Sequence, residues 1–276
     1  MSCSGSADSG RRRKALRASA IGATFVALIA GAAGGTAAAQ RFGRRQARSA
    51  VSMNPGPSVE VMVVGAGNLI LGQPESISAA ATAIKMPHGP CGVAAGTPLA
   101  ALVDLRRVGG PPFAVHDYGH CTVSPRNSGQ LFVYSLDGET NHGQNGWEYK
   151  VGNRSGTTGA GDPSGPFGDS RLIPSGSTVL WFWCQAFAGG CQRNLEAVVP
   201  ASVSRGGALS VKVLGYDNAG RGQAMSGAHV SISGSSAVTG GSGRVTLRAP
   251  SRAGVYPVRA SRPGSVPSFP AVVQVR

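Results

Sequence analysis

The fold of this chain is decided by the stretch Ser177-Thr178-Val179-Leu180-Trp181-Phe182-Trp183-Cys184. Its length and its β-branched and aromatic side chains predict a strand. Because side chains alternate along a strand, one face carries Val179, Trp181 and Trp183, and the other carries Leu180, Phe182 and Cys184. Both faces are apolar, so both must be covered by other parts of the protein.

A single helix is predicted in the mature chain, over residues 97–106. Thr97 is placed as the N-cap and Pro98 at the first helical position. The apolar residues Leu99, Leu102 and Val103 share one helical face. One helix covers only one face of a small sheet. The other face of strand 177–184 is therefore expected to meet the C-terminal domain, a partner or a ligand.

The remaining apolar segments predict a mainly β protein with two folded domains. In the first domain, strands are predicted at 59–64, 131–136, 147–151, 177–184 and 194–199. Pro200 is the predicted boundary. Five short strands at regular spacing then predict a small antiparallel sandwich: 209–214, 228–233, 244–249, 254–260 and 271–275.

The N-terminus carries the three parts of a secretory leader. A cationic start (11–14) precedes an apolar run (18–33), which ends in Ala37-Ala38-Ala39. We expect a signal peptide at 1–39 and a basic linker at 40–57, followed by a β-grasp domain (58–200) and an immunoglobulin-like sandwich (201–276). The expected location is secreted or associated with the cell envelope. The alternative is an uncleaved membrane anchor formed by residues 18–39.

The mature chain contains four cysteines, which in a secreted protein are expected to form disulfides. Four cysteines allow three pairings. We favour Cys184–Cys191, because Gly189 and Gly190 let the chain fold back between two strands. The other pair is then Cys91–Cys121.

Positive charge is concentrated at the end of the chain. The whole sequence carries a net charge of +14. Residues 201–276 hold nine basic side chains and one acid, Asp217, whereas residues 55–200 are slightly acidic. This distribution indicates a partner such as an anionic envelope polymer. No nucleic-acid-binding motif is present, and membrane contact is expected only through the N-terminal segment if it is not cleaved.

The aromatic residues of two strands are candidates for a ligand platform. Trp147 and Tyr149 share one face of strand 147–151, and Trp181 and Trp183 share one face of strand 177–184. Together with the loop 152–166, these four rings are the predicted contacts of a small ligand or a glycan. The competing interpretation is that they form core or interdomain packing. No cofactor is expected.

A second polar cluster is His116-Asp117-Tyr118-Gly119-His120-Cys121. His116 and His120 are candidate metal ligands, because two histidines four residues apart bind zinc on a helix. Pro111, Pro112 and Gly119 argue against a helix here. A polar turn leading to a disulfide is therefore the favoured interpretation, and no catalytic residue is assigned.

Three of these segments resemble the transcobalamin-like C-terminal domain family, a β-grasp module. The similar segments are Gly96-Thr97-Pro98-Leu99-Ala100-Ala101-Leu102, Gly146-Trp147-Glu148-Tyr149-Lys150-Val151-Gly152 and Val179-Leu180-Trp181-Phe182-Trp183. The resemblance implies a β-grasp fold over about residues 59–199. The family's Val-Asn-Gly is altered here, since Gly152 follows Val151 directly, and no binding residue is carried over. The segment after Pro200 resembles bacterial immunoglobulin-like repeats.

The leading hypothesis is a secreted or envelope-associated, non-enzymatic binding or adhesion protein. One alternative is a secreted metal-dependent or hydrolytic enzyme that uses His116, Asp117 and His120. Another is a structural spacer held by an uncleaved N-terminal helix.

Overall fold

A computed structural model describes residues 55–71, 74–186 and 190–276 of the chain. The predicted leader and nearly all of the predicted linker lie outside these residues. The described part is mainly β, as expected. All of it belongs to one compact unit, Val51–Arg276, which contains two large apolar cores.

The first half of the unit contains ten strands and the only α-helix in the described residues. The strands are β1 (Ser58–Val64), β2 (Glu75–Ser78), β3 (Thr82–Met86), β4 (Gly89–Val93), β5 (Phe113–Asp117), β6 (Leu131–Leu136), β7 (Glu139–Thr140), β8 (Gly146–Val151), β9 (Arg154–Ser155) and β10 (Thr178–Cys184). The helix α1 is Pro98–Arg107, with Thr97 accepting the N-cap hydrogen bond from the Ala100 N–H at 3.2 Å. The predicted helix and its cap are confirmed.

Strand β10, which the sequence predicts at residues 177–184, lies at the centre of the main sheet. The strand order is β2-β1-β10-β8-β9, with β1 parallel to β10 and β8 antiparallel to it. The hairpin β3–β4 and the small sheet β5-β6-β7 complete this half. Helix α1 packs on the Trp181 face of β10, and the two share one core. That face is therefore covered as the sequence predicts.

The second half consists of nine strands in two sheets that pack face to face. The strands are β11 (Asn194–Val198), β12 (Ser202–Val203), β13 (Ala208–Tyr216), β14 (Gly222–Ala224), β15 (His229–Ile232), β16 (Ser235–Val238), β17 (Arg244–Arg248), β18 (Gly254–Ser261) and β19 (Ala271–Val275). One sheet contains β11, β13, β14 and β17, and the other has the order β12-β19-β18-β15-β16. Their inner residues form the second core, so the sandwich is confirmed.

The predicted boundary at Pro200 falls inside the second half. Strand β11 precedes Pro200 in sequence, yet it pairs along its whole length with β13 of the sandwich. Its inner residues, Leu195 and Ala197, belong to the second core. Pro200 marks the place where a strand ends, and that strand, β11, is already the first strand of the sandwich. The second half therefore begins before Pro200.

Both favoured disulfides are present. Cys91 in β4 is bonded to Cys121, and Cys184 at the end of β10 is bonded to Cys191. The first bond closes a loop of 30 residues that includes α1 and β5, whereas the second closes a loop of seven. None of the described helices is both long and apolar enough to cross a membrane.

Candidate functional site

The four rings predicted as a ligand platform lie in the first core. Trp147, Tyr149, Trp181 and Trp183 are between 2% and 6% exposed. Trp147 and Trp183 pack edge to face at 5.8 Å, and Tyr149 packs on Trp181 at 5.6 Å. Helix α1 and strand β6 share this core and cover the rings. These four rings therefore do not form an exposed platform, and most of the surface of each ring is buried in the core.

The opposite face of β10 meets the second half of the chain. Leu180 and Phe182 form a third apolar cluster with Val266 and Phe269, which lie between β18 and β19. This face of β10 therefore packs against the second half of the chain. Leu180 and Phe182 make that contact, as expected for the second face, and the tryptophans lie on the other side.

Three of the four rings also line an open cleft between β6 and β8. These two strands belong to different sheets, and the space between them has a volume of about 330 Å³. Trp147, Tyr149 and Trp181 contribute to its walls, whereas Trp183 does not. The volume lies within the range of small-molecule sites. The cleft is therefore the place where these aromatic residues can reach a ligand.

One ring that lines the cleft has a buried polar atom without a partner. The Trp147 indole N–H donates to the Glu139 carbonyl at 2.8 Å, and the Tyr149 hydroxyl donates to the Thr158 carbonyl at 2.9 Å. The buried Trp181 Nε1, by contrast, has no hydrogen-bond partner among the described residues. A buried donor without an acceptor costs about 1–3 kcal/mol. The Trp181 N–H is thus a buried donor that no described residue satisfies.

Two exposed rings stand at the mouth of the cleft. Tyr118 is 68% exposed and Phe132 is 43% exposed, and their ring centroids lie 6.2 Å apart. Neither Tyr118 nor Phe132 was predicted from the sequence to be part of a site. The only charged residue in the lining is Glu148, and it occupies the β8 position paired with Phe182, on the strand face opposite Trp147. The walls that carry the rings are uncharged, which suits a neutral ligand.

The long loop 152–166 is held against the cleft. Burial raises the pKa of the Tyr149 hydroxyl to about 12, and that hydroxyl bonds the carbonyls of Thr158 and Pro166 in the loop. Gly159 lies against the Gly129 backbone so closely that a side chain would overlap it. The loop therefore forms a fixed wall of the cleft.

A separate charged surface lies on the outer face of the sheet formed by β11, β13, β14 and β17. Lys212 in β13 is directly opposite Arg244 in β17, and Arg248 follows on the same face of β17. We call these three residues the basic strip. Among the described residues, none of the three forms an ion pair with an acid. Like charges directly opposite each other destabilise a sheet, so this placement has a cost that folding alone does not explain.

The only acid of the C-terminal segment is already engaged. Asp217 accepts hydrogen bonds from the Arg221 and Ala219 N–H groups and pairs with the Arg221 side chain at 3.0 Å. The backbone N–H of Arg221 is the main reason that the Asp217 pKa lies below its usual value.

Next to the basic strip, Arg248 and Arg252 border an open hollow of about 510 Å³ that also contains Ser233 and Ser235. The surface is therefore suited to several acidic groups.

The predicted histidine cluster is not assembled as a metal site. His116 lies on the exposed face of β5, stacked on Tyr134 at 3.9 Å, and His120 is exposed in the following turn. In the described residues, the single group able to hold a metal is His88, Cys91, Asp117 and Cys121. Asp117 is shared with the prediction, but His116 and His120 are absent, because strand alternation sends His116 and Asp117 to opposite faces.

Asp117 is instead a structural acceptor within this group. Burial opposes its ionisation. However, the N–H groups of Gly119 and Cys121, at 2.9 Å each, and the nearby His88 hold its pKa below the usual value. His88 was not predicted from the sequence as part of this group. It lies 29 residues before Asp117, in the turn of the β3–β4 hairpin. The strand pattern did not reveal that hairpin, which contains Gly89 and Pro90.

Comparison with known proteins gives no relative. The chain matches no protein-family model, no curated protein and no solved structure.

Proposed function

We propose that this protein is a secreted or cell-envelope-associated, non-enzymatic binding protein that attaches to an anionic envelope polymer through its C-terminal sandwich. The observation that carries the proposal is the basic strip, where Lys212 faces Arg244 directly across two paired strands. A repulsive pair on an outer face, without an ion pair to an acid among the described residues, is accounted for by an anionic partner that neutralises it.

The spacing of the strip also suits a polymer. Arg244 and Arg248 are four residues apart on one strand face, which corresponds to about 13 Å. The hollow beside Arg248 adds Arg252 and two serine hydroxyl donors. A chain of repeated phosphate or carboxylate groups can contact these cations in succession. A single small anion would contact only one or two of them.

The test is binding of the purified protein to isolated cell-envelope material over a series of salt concentrations. We expect binding that weakens as salt rises, because exposed charges are screened over about 10 Å at 0.1 M. The triple variant Lys212→Gln, Arg244→Gln, Arg248→Gln should bind at least about tenfold more weakly at low salt.

A matched control removes the same charge from the first half of the chain. Lys85→Gln, Arg126→Gln, Arg171→Gln changes three exposed cations that lie outside the basic strip. Equal weakening by both triple variants would mean that only net charge matters, and the proposed surface would be abandoned. Absence of binding at every salt concentration would count against attachment to the envelope.

The cleft supports a second, compatible part of the same proposal, the binding of a neutral ring such as a sugar. Aromatic walls contact the apolar face of a ring. Tyr118 and Phe132 at the mouth would contact the next unit of a longer glycan. This assigns the predicted aromatic residues Trp147, Tyr149 and Trp181 to the lining of a cleft.

The cleft can be tested with a panel of soluble neutral disaccharides, followed by tryptophan fluorescence. Tyr118→Ala and Phe132→Ala should weaken any binding without loss of the core, because both rings are largely exposed. Val123→Ala is the control, since Val123 is 74% exposed and does not line the cleft. Unchanged affinity in the two ring variants would rule out the cleft as the site of that sugar.

The resemblance to the transcobalamin-like C-terminal domain family remains part of this proposal. A mixed sheet crossed by one helix is compatible with a β-grasp module, and the sandwich is compatible with an immunoglobulin-like domain. Two disulfides are consistent with an oxidising compartment, as the predicted leader implies.

A further inference from the structure

A tightly grouped set of metal-ligand atoms surrounds the Cys91–Cys121 disulfide. The His88 Nε2 atom lies 3.7 Å from Cys91 Sγ, 3.6 Å from Cys121 Sγ and 3.2 Å from Asp117 Oδ2. All four ligand atoms lie within 4.8 Å of one another. Two sulfurs, an imidazole nitrogen and a carboxylate oxygen are all ligands that zinc accepts.

The distances from His88 correspond to three edges of a zinc tetrahedron. With Zn–S near 2.3 Å and Zn–N and Zn–O near 2.1 Å, a tetrahedral site has N···S edges of about 3.6 Å and an N···O edge of about 3.4 Å. The three distances measured from Nε2 agree with these edges to within about 0.2 Å. Of the other three edges, the one between the two sulfurs is closed by their covalent bond, and the two between Asp117 and the sulfurs are no longer than 4.8 Å.

The surrounding structure fixes these ligands and leaves one side open. Asp117 is held by two backbone N–H groups and is 3% exposed, and both cysteines are buried. The segments are tied together where the Gly92 N–H donates to the Thr122 carbonyl at 2.7 Å. His88 is 47% exposed, so an ion can approach from its side.

We infer that the reduced protein binds one Zn²⁺ through His88, Cys91, Asp117 and Cys121, so that this centre has two exclusive states, a disulfide and a metal site. A dithiol reductant breaks the S–S bond, giving two electrons and two protons to the sulfurs and itself closing to a disulfide. Zn²⁺ then displaces the two thiol protons as two Zn–S bonds form. Separation of the sulfurs opens the sulfur–sulfur edge of the tetrahedron.

This inference is independent of the proposed binding function. In oxidising surroundings the disulfide excludes the metal, and in reducing surroundings zinc holds the same two segments together, the β3–β4 hairpin and the end of β5 with its following turn. The metal thereby replaces the covalent link of the disulfide, as structural zinc does in small domains.

The test uses the purified full chain, oxidised or reduced with a phosphine, which takes its oxygen from water and becomes the phosphine oxide. After incubation with Zn²⁺ and gel filtration, elemental analysis should give one zinc per reduced chain and none per oxidised chain. Replacement by Co²⁺ should give the visible bands of tetrahedral cobalt together with a thiolate-to-cobalt charge-transfer band.

Three pairs of variants separate the proposed centre from unspecific thiol binding. Cys184→Ser, Cys191→Ser removes the other disulfide and should leave the stoichiometry at one. His88→Gln and Asp117→Asn should each weaken zinc binding by about tenfold or more. His116→Gln and His120→Gln are the controls and should change the affinity little.

Folding of the reduced protein is followed by near-ultraviolet circular dichroism in the same samples. If reduction unfolds the chain, added zinc should restore the native spectrum, because metal binding is then coupled to folding. The inference is overturned if the reduced chain binds no zinc, if zinc fails to restore an unfolded chain, or if Asp117→Asn binds zinc as tightly as the original protein. An unfolded chain that binds through its thiols alone would give this last result.

Discussion

Two tryptophans in the same core differ in whether the indole N–H has an acceptor. The N–H of Trp147 bonds the Glu139 carbonyl, whereas that of Trp181 has no partner. Trp147→Phe and Trp181→Phe remove similar volumes from similarly buried positions. We expect Trp147→Phe to lower the free energy of unfolding by about 1–2 kcal/mol more than Trp181→Phe, because only the former loses a hydrogen bond and leaves a carbonyl unsatisfied.

Urea unfolding of the two variants measures this difference. A larger loss in Trp181→Phe would show that the Trp181 N–H has an acceptor in solution. Trp183→Phe serves as a third member of the series, because Trp183 lies in the same core but not in the cleft.

At the scale of single residues, sequence reasoning succeeded where the signal was local. The pairing Cys184–Cys191 followed from seven residues of separation and two glycines, and Thr97 was identifiable as a cap from Pro98 and the apolar residues after it. The unpaired N–H of Trp181 and the approach of His88 to Asp117 could not be predicted, because each depends on which distant segments fold against it.

At the scale of elements, the loop 152–166 is held by contacts along its length. Gly159 lies against the Gly129 backbone, and an added Cβ would overlap the Gly129 carbonyl oxygen. We expect Gly159→Ala to lower the free energy of unfolding by about 1–3 kcal/mol, because the backbone must shift to remove the overlap. The same shift should reduce binding of any ligand in the cleft.

The control for this prediction is Gly241→Ala, since an added Cβ at Gly241 meets nothing within 4 Å. It should leave stability unchanged to within about 0.5 kcal/mol. Thermal unfolding of both variants decides the matter, and equal stability of the two would mean that the loop moves aside at no cost.

The strands that could be predicted are those made mostly of apolar residues that the fold buries. Strand β10 is apolar on both faces, and β1 and β6 are rich in valine or aromatic residues, so each was located to within about a residue. Strands β3 and β4 were missed because β3 has no fully buried residue and β4 contains Gly and Pro. Strand β14, Gly222–Ala224, is exposed throughout. Such strands are held by pairing with neighbours that are remote in sequence, which a local pattern does not contain.

At the scale of the whole molecule, a buried lysine links the two halves. Lys150 in β8 is fully buried and donates to Asn194 Oδ1 at 2.8 Å and to the carbonyls of Tyr216 and Asp217. Burial lowers the pKa of its amine from 10.5 to about 8. The same contacts explain why residue 194 belongs to the sandwich and yet touches the first half.

This lysine makes stability depend on pH in a defined direction. Between pH 8 and 10 the unfolded chain binds more protons than the folded one, so the free energy of unfolding should rise with pH, by up to about 3 kcal/mol. Above pH 10 it should fall, because burial raises the pKa of Tyr149 and of Tyr216 to about 12. The folded chain then keeps phenol protons that the unfolded chain has lost.

Denaturant unfolding at a series of pH values measures this profile. Lys150→Met should be less stable overall, since three acceptors lose their donor, and should lack the rise between pH 8 and 10. Lys85→Met removes an exposed lysine with the same change in charge and should keep the rise. A flat profile in the original protein would show that the amine keeps its ordinary pKa.

The parallel pairing of β1 with β10 also constrains when the protein can fold. The paired residues Glu60 and Thr178 are 118 positions apart. At 5–20 residues per second, a ribosome needs about 6–24 s to synthesise the chain between them. Throughout that interval β1 lacks its central partner, and the core beneath the helix cannot close. The first core can therefore close only after Thr178 has been synthesised. The order of the strands along the gene thus acts as a delay on the folding of this half.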